Sequence, residues 1–274
     1  MLTERYDCTI ISKKMKKDFK SVKNVSATVD KAIDVLEVFL RKEDQVSLAE
    51  ITQETGLNPA TAFRLVSTLA RRGYVRQQDK KGAYQLGLRM LDFNYAVRRN
   101  LKFIDLAYLA MSRLSKEQNQ SVYMAALDAD QALIIEEVGV TEDLRINSPV
   151  GKRLSLHCTA CGKVLLAALS EDERRAYYGR NELKSLTTNT ITDADQLEQQ
   201  LVKVSLEGVA YDIEEYRMGL WIAASPVYDG RGSVIAAVGI MVPTSDINEE
   251  SMQRFATAIK SCTAKISQIM GRIS

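Results

Sequence analysis

Residues 47–86 constrain the fold more than any other part of the chain, because helix caps and turn residues follow one another there in a fixed order. Ser47 is followed three residues later by Glu50, a spacing that predicts a capping box at the start of a helix. Gly56 is placed to end that helix in a left-handed conformation. The stretch therefore opens with a short, capped helix.

A second helix is predicted to begin at Asn58, a favourable N-cap, with Pro59 at the first helical position, where its missing N–H costs nothing. We expect this helix to stop at Gly73. The hydrophobic period then changes from helical to alternating in residues 74–78 and 83–86, which flank turn residues and predict a two-stranded hairpin.

A longer amphipathic helix is predicted upstream, over residues 28–41. Its inward face is expected to carry Val29, Ala32, Ile33, Val35, Leu36, Phe39 and Leu40. Three helices followed by a hairpin is the element order of a winged helix-turn-helix, in which the last helix enters the major groove of DNA.

The helix that starts after Asn58 has two faces of opposite character. Its inward face is expected to carry Ala62, Leu65, Val66 and Leu69. Its outer face is expected to carry Thr61, Arg64, Ser67, Thr68 and Arg71. Such side chains reach base edges and phosphates, and Lys80 and Lys81 at the hairpin tip are expected to grip the DNA backbone. Any exposed helix has a polar face, but the ordered set of elements favours DNA binding.

The charge distribution points the same way. The 274-residue chain has a formal net charge of only +2, yet residues 1–99 carry +7 and the remainder −5. Only the front half is therefore expected to meet a polyanion, and residues 1–23 are expected to form a flexible basic tail. The sequence contains no apolar run long enough to cross a bilayer and no signal-peptide core, which predicts a cytoplasmic protein without membrane contact.

The remaining sequence predicts a second domain. Residues 24–87 are assigned to DNA binding, 88–100 to a linker helix and 101–274 to an α+β domain around a mainly antiparallel sheet flanked by helices. The predicted strands of this domain cover residues 122–127, 132–138, 144–147, 209–212, 222–227 and 234–242. The predicted helices cover residues 101–116, 160–169, 171–178, 194–207 and 248–273.

Two groups of residues give the chain a resemblance to the IclR family of transcriptional regulators. In the N-terminal part they are Leu48-Ala49-Glu50-Ile51, Thr55-Gly56-Leu57-Asn58, Thr61-Ala62-Phe63-Arg64-Leu65, Gly73-Tyr74-Val75 and Tyr84-Gln85-Leu86-Gly87. In the C-terminal part they are Gly151, His157, Gly162-Lys163, Asp212-Ile213-Glu214-Glu215, Gly219-Leu220 and the strand that ends near Pro243. The resemblance extends from about residue 26 to the end.

This resemblance implies a GAF/PAS-like C-terminal domain that binds a small organic acid effector. Binding of that effector would modulate the binding of the N-terminal domain to a double-stranded DNA operator. The whole protein is expected to be a repressor. The resemblance also implies a homodimer or homotetramer, since pairs of winged helices read paired half-sites. A winged-helix interaction protein without DNA affinity is the alternative.

The same resemblance suggests which residues bind the effector. The effector carboxylate is expected at the backbone amides of Ala160 and Cys161, and a further hydrogen bond from the ligand is expected at Asp212. The walls are expected to be Ile146, Leu154 and Leu220.

Three further positions bear on the polarity of the effector. Relatives that bind very small oxo-acids have polar Cys or Ser at the positions of Ile222, Gly239 and Met241. Because the side chains here are apolar or absent, we expect an organic acid with an apolar or aromatic body rather than a two-carbon oxo-acid.

Cys158 and Cys161 lie beside the only histidine, His157, and raise the alternatives of a zinc site or a Cys/His-dependent hydrolase. Zinc needs four ligands, but the remaining cysteines, Cys8 and Cys262, stand alone. A hydrolase would need a group that orients the histidine, and it leaves the N-terminal helices unexplained. We therefore expect simple packing here, with no metal, no cofactor and no catalytic residues.

Overall fold

The computed structural model describes residues 25–42, 45–77, 82–101, 103–139 and 150–273. The chain divides into two compact units, with the division between residues 102 and 103. The helices of the N-terminal unit are α1 (Ala27–Arg41), α2 (Leu48–Thr55), α3 (Pro59–Arg71) and α4 (Arg89–Asn100). Its strands are β1 (Val46–Ser47), β2 (Val75–Gln77) and β3 (Ala83–Leu86), in the antiparallel order β1-β3-β2. This is the predicted winged helix-turn-helix.

The helix ends of this unit are set by local hydrogen bonds, as predicted. The Ser47 hydroxyl accepts from the backbone N–H of Glu50 at 3.2 Å, and the Glu50 carboxylate accepts from the N–H of Ser47 at 2.8 Å. Gly56 ends α2 with a φ of +66°, a conformation that glycine adopts without strain. The Asn58 side chain accepts from the N–H of Thr61 at 2.8 Å, which caps α3.

The predicted inward face of α1 was partly wrong. Val29, Ile33 and Leu40 are 55%, 47% and 75% exposed, whereas Val38, which was not assigned to that face, is buried. The contacts of α1 with α2, α3 and β3 are centred on Val35, Val38 and Phe39, and its apolar residues span a wider arc than this surface covers. The helical period was right, but the buried stripe is rotated.

Strand β1 was not predicted. It is only two residues long and exists because Val46 and Ser47 pair with Tyr84 and Ala83 of β3. Alternation of polar and apolar residues cannot be detected over two positions, so only the long-range pairing defines this strand.

The C-terminal unit is an α+β domain around one antiparallel sheet. Its helices are α5 (Phe103–Gln118), α6 (Ala160–Ala167), α7 (Glu171–Arg180), α8 (Ala194–Glu207) and α9 (Glu249–Ile273). Its strands are β4 (Ser121–Asp128), β5 (Gln131–Val138), β6 (Arg153–Ser155), β7 (Ala210–Ile213), β8 (Leu220–Tyr228) and β9 (Val234–Pro243), in the order β6-β5-β4-β9-β8-β7. The predicted fold class is confirmed.

Helices cover both faces of this sheet. Helix α9 packs on one face, where Phe255 meets Trp221 of β8 with ring centroids 6.0 Å apart. Helix α6 packs on the other face, where the Cys161 thiol lies 3.7 Å from the carbonyl oxygen of Ala237. Because successive residues of a strand point to opposite sides, Trp221 and Ile222 face different helices.

One segment of this unit differs from its prediction. Residues 153–155 were not among the predicted strands but form the edge strand β6, in which Leu154 pairs with Ala132. The strand predicted at 144–147 lies outside the described residues. Within the described part of the chain, no helix is long and apolar enough to cross a membrane.

Candidate functional site

The outer face of α3 is open to solvent in the N-terminal unit. Arg64, Ser67, Thr68 and Arg71 are exposed and Thr61 is half-buried, while the opposite stripe of Ala62, Leu65 and Val66 is buried in the core. The face therefore combines two cations with hydroxyl groups, which are donors for phosphates and base edges.

Two features qualify this face. Phe63, which was not assigned to either face of the helix, lies beside Arg64 and is 54% exposed. It gives the surface an apolar component. The side chain of Thr68 donates to the carbonyl oxygen of Arg64 at 2.8 Å, so its hydroxyl is already engaged within the helix. Lys80 and Lys81, the predicted contacts of the hairpin tip, lie outside the described residues.

In the C-terminal unit, strand register assembles the predicted effector residues on the α6 face of the sheet. Asp212 pairs with Ile222, and Ile222 pairs with Met241, so these three form one row across β7, β8 and β9. The next row runs from Ala224 to Gly239 and on to Tyr123 of β4. Residues directly opposite in antiparallel strands share a face, which places both rows side by side.

Six of the predicted effector residues belong to one buried hydrophobic cluster. It contains Leu154, Ala160, Cys161, Leu220, Ile222 and Met241. These positions are up to 87 residues apart along the chain, since Leu154 and Met241 are its first and last members. Ile146, the remaining predicted wall residue, lies outside the described residues.

The start of α6 lies in this cluster, and the first N–H groups of a helix have no acceptor within the helix itself. The side chain of Thr159 accepts from the N–H of Gly162 at 3.2 Å, and its carbonyl accepts from the N–H of Lys163 at 2.8 Å. Neither of these two bonds uses the N–H group of Ala160 or Cys161, and both residues are fully buried. Such N–H groups at a helix start attract a carboxylate.

Asp212 is held in place at the edge of the cluster. One carboxylate oxygen, Oδ1, accepts from the backbone N–H groups of Glu215 at 2.8 Å and Tyr216 at 3.2 Å. The other, Oδ2, is buried and has no hydrogen-bond partner within the described part of the chain. Burial raises the pKa of Asp212 to about 7, so this side chain can act as either acceptor or donor near neutral pH.

A buried ion pair fastens the loop after Asp212 to α6. The Lys163 ammonium donates to the Glu215 carboxylate at 2.6 Å and to the Gln200 side chain at 3.0 Å. The Lys163 and Glu215 side chains are only 1% and 7% exposed. Burial raises the pKa of Glu215, while Lys163 opposes that shift. The pair was missed at the sequence level, where its members appeared only as parts of family motifs.

Tyr123 lies among the predicted effector residues, although the sequence did not indicate it. Its hydroxyl is buried, has no well-oriented hydrogen bond among the described residues and lies near the Cys161 thiol. Its ring occupies the space beside Gly239, where an added Cβ would lie 2.9 Å from Tyr123 Cε1 and 3.0 Å from Cys161 Sγ. The pairing between β4 and β9 that creates this contact was beyond the reach of local patterns.

The Cys/His alternative finds no support in the geometry. Nε2 of His157 donates to the carbonyl of Lys184 at 3.1 Å, and burial raises the pKa of Cys158 and Cys161 to about 12. Thiols with such pKa values are poor nucleophiles at neutral pH. In the described ranges, no group of three or more His, Cys, Asp or Glu side chains could hold a metal ion.

Comparison with known proteins decides the family. The family model "Bacterial transcriptional regulator IclR C-terminal" matches residues 95–268, and the model "IclR helix-turn-helix domain" matches residues 28–79. The chain belongs to the IclR family. It is a DNA-binding transcriptional regulator with a C-terminal effector-binding domain, not an enzyme, and the hydrolase alternative is thereby rejected.

Individual IclR-family relatives cover nearly the whole chain. The HTH-type transcriptional regulator KdgR of Escherichia coli is 32% identical over 247 residues, which are 88% of this chain and 94% of the relative. The transcriptional repressor IclR of E. coli is 27% identical and covers 89% of this chain and 90% of its own.

A solved structure shares the fold. The crystal structure of an IclR homologue from Microbacterium hydrocarbonoxydans complexed with 4-hydroxybenzoate superimposes with a TM-score of 0.80 at 20% identity. The match covers 90% of this chain and 100% of that one.

Proposed function

We propose that this IclR-family protein is a repressor whose sequence-specific binding to a DNA operator is modulated by a small organic acid bound on the α6 face of the C-terminal sheet. The observation that carries the proposal is the solvent-exposed face of α3, with Arg64 and Arg71 on a capped helix inside a winged fold. A helix of this kind reads the major groove.

On this proposal the residues of α3 contact different parts of the DNA. Arg64 and Ser67 contact base edges, Arg71 contacts phosphates, and Thr61 lies near the helix start, where N–H groups favour a phosphate. Thr68 contributes less, because its hydroxyl is already bonded within the helix. Contacts from Lys80 and Lys81 rest on the sequence alone.

The effector class follows from the chemistry of the buried cluster. The free N–H groups of Ala160 and Cys161 suit a carboxylate, and Asp212 Oδ2 suits a hydroxyl. The apolar body of the effector would contact Leu154, Leu220, Ile222 and Met241, with Ile146 added on sequence grounds. An organic acid with an apolar or aromatic body therefore fits better than a two-carbon oxo-acid, and the 4-hydroxybenzoate bound by one homologue is such an acid.

Exposed apolar side chains support a dimer as the DNA-binding species. Val29, Ile33 and Leu40 are exposed on α1, and α4 exposes Leu91 at 60% and Tyr95 at 70%. Apolar side chains at this density are typical of an interface that another copy covers. Pairing through this unit would present two reading helices to two half-sites, and pairing of effector domains would give a tetramer.

The experiment is a selection of genomic fragments by the purified chain, repeated with single organic acids. Four pairs differ only in hydroxyl content: lactate and propionate, gluconate and hexanoate, mandelate and phenylacetate, 4-hydroxybenzoate and benzoate. We expect a small set of promoter fragments to be retained and one class of acid to change that retention at fixed salt. Retention that is indifferent to sequence would contradict operator recognition.

A further inference from the structure

The hydroxyl group of Tyr123 is an anomaly in the C-terminal unit. Tyr123 is 1% exposed, and its hydroxyl oxygen is buried with no well-oriented hydrogen bond among the described residues, where the Cys161 thiol lies within hydrogen-bonding reach. Buried hydroxyl groups are nearly always paired, because leaving one unpaired opposes folding. A thiol sulfur is only a weak acceptor, so the hydroxyl is expected to have a stronger partner that the polypeptide does not supply.

The surroundings indicate where that partner would lie. The ring end of Tyr123 and the Cys161 thiol both crowd the position that a Cβ of Gly239 would take, at 2.9–3.0 Å. The ring end of Tyr123 therefore lies close to the side chain of Cys161, a residue of the first turn of α6. After burial, the pKa of Tyr123 is affected most by the Cys161 thiol, through its charge and its contact with the hydroxyl, and then by Asp212 and Tyr216.

The protonation state fixes the direction of the missing hydrogen bond. Burial raises the pKa of Tyr123 well above its usual value, and no cation among the described residues counters that effect. The group is therefore a neutral phenol with an O–H to donate. Its natural acceptor is an anionic oxygen, because hydrogen bonds to charged acceptors are the stronger ones.

Gly239 belongs to the same arrangement. Tyr123 and Gly239 are direct partners in the pairing of β4 with β9, and the missing side chain of Gly239 is the space that the phenol ring fills. The sequence suggested that Gly239 makes this site less polar, yet the structure places a hydroxyl group there from the neighbouring strand. The polar group at this point of the sheet therefore comes from β4 instead of β9.

We propose that Tyr123 is a specificity-determining residue, whose O–H donates to a carboxylate oxygen of the effector held at the N–H groups of Ala160 and Cys161. This inference rests on the proposed acid effector and deepens it. Three donors would then converge on one carboxylate, with the Asp212 carboxylate free to accept from a ligand hydroxyl. Gly239 acts by leaving room for the phenol.

Titration calorimetry on the full chain tests the proposal with Tyr123→Phe, which removes only the hydroxyl. The matched control is Tyr211→Phe, on β7 but on the opposite face, where Tyr211 packs against Trp221 at 5.7 Å. The ligands are the eight acids of the four pairs. Any acid that binds the wild type is expected to bind Tyr123→Phe about 10- to 100-fold more weakly, the effect of losing one hydrogen bond to a charged group. The control is expected to keep wild-type affinity.

The ligand-free protein provides an independent measurement. Because the hydroxyl has only a weak thiol contact among the described residues, Tyr123→Phe is expected to melt at the same temperature as the wild type or higher. A lower melting temperature would assign the hydroxyl a structural hydrogen bond and overturn the proposal, as would equal affinity of wild type and Tyr123→Phe for the acids.

The proposed effector class and the proposed role of Tyr123 are contradicted by different results. If none of the acids binds the wild type, the proposed effector class is wrong, while the melting temperature of Tyr123→Phe still shows whether its hydroxyl is unpartnered. If an acid binds both proteins equally, the effector class stands and the role of Tyr123 is wrong.

Discussion

The buried ion pair between Lys163 and Glu215 is predicted to matter more for the stability of the C-terminal unit than any exposed ion pair. Replacing Lys163 by Met leaves the Glu215 carboxylate buried, 7% exposed, with its Oε2 already unpaired among the described residues. Removing one partner of such a pair costs about 3 to 5 kcal/mol. With a urea m-value of about 2 to 3 kcal/mol per M, the unfolding midpoint should fall by roughly 1 to 2.5 M.

The assay is urea denaturation followed by tryptophan fluorescence. Trp221 is the only tryptophan, lies in the C-terminal unit, is 1% exposed and packs between Tyr211 and Phe255. Its emission therefore reports the unfolding of this unit alone, which avoids a composite transition from two domains.

Two further variants make the test specific. In the double variant Lys163→Met/Glu215→Leu no charge is left unpaired, so most of the lost stability should return. The pair of Arg175 with Glu171 has an N···O distance of 2.8 Å but side chains that are 73% and 76% exposed, so Arg175→Met should change stability by at most about 0.5 kcal/mol. A Lys163→Met midpoint equal to that of the wild type, or a double variant as unstable as the sum of its singles, would refute the reasoning.

Three other perturbations have definite expected outcomes. Burial raises the pKa of Asp212 to about 7, so the folded state holds a proton that the unfolded state releases near pH 4. Stability of the C-terminal unit should therefore decrease as pH rises from about 4 to 7, and Asp212→Asn should flatten that dependence in urea titrations. Gly239→Ala should cost about 1 to 3 kcal/mol in the same assay, because its Cβ would lie 2.9 Å from the Tyr123 ring; an unchanged midpoint would contradict this. Ser47→Ala breaks the capping box with Glu50 and should lower the stability of the N-terminal unit by about 1 kcal/mol, as followed by circular dichroism.

Local features of the sequence predicted the DNA-binding unit well. The caps at Ser47 and Asn58 and the turn at Gly56 depend on residues within three or four positions of one another, and all three were confirmed. The choice of buried face on α1 was not local. Val29 and Ile33 are as apolar as Val35, and only the positions of α2, α3 and β3 decide which of them is covered.

The C-terminal site illustrates the same limit. Its described strands other than β6 were predicted from the sequence, but their order was not, and the order is what sets Tyr123 beside Gly239 and Asp212 beside Ile222. The family resemblance supplied Asp212, whereas Tyr123 carries no local mark of a binding role. An unpaired hydroxyl can be recognised only once the surrounding side chains have been placed.

Fluorescence anisotropy of Arg64→Ala on a selected genomic fragment tests most directly whether the exposed face of α3 enters DNA. Loss of one base contact should weaken binding by about 1 to 3 kcal/mol and relax sequence preference at one position. Arg113→Ala, which removes a 71%-exposed arginine from the C-terminal unit, should leave the affinity unchanged. Wild-type affinity and an unaltered salt dependence for Arg64→Ala would contradict the assignment of α3 as the reading helix.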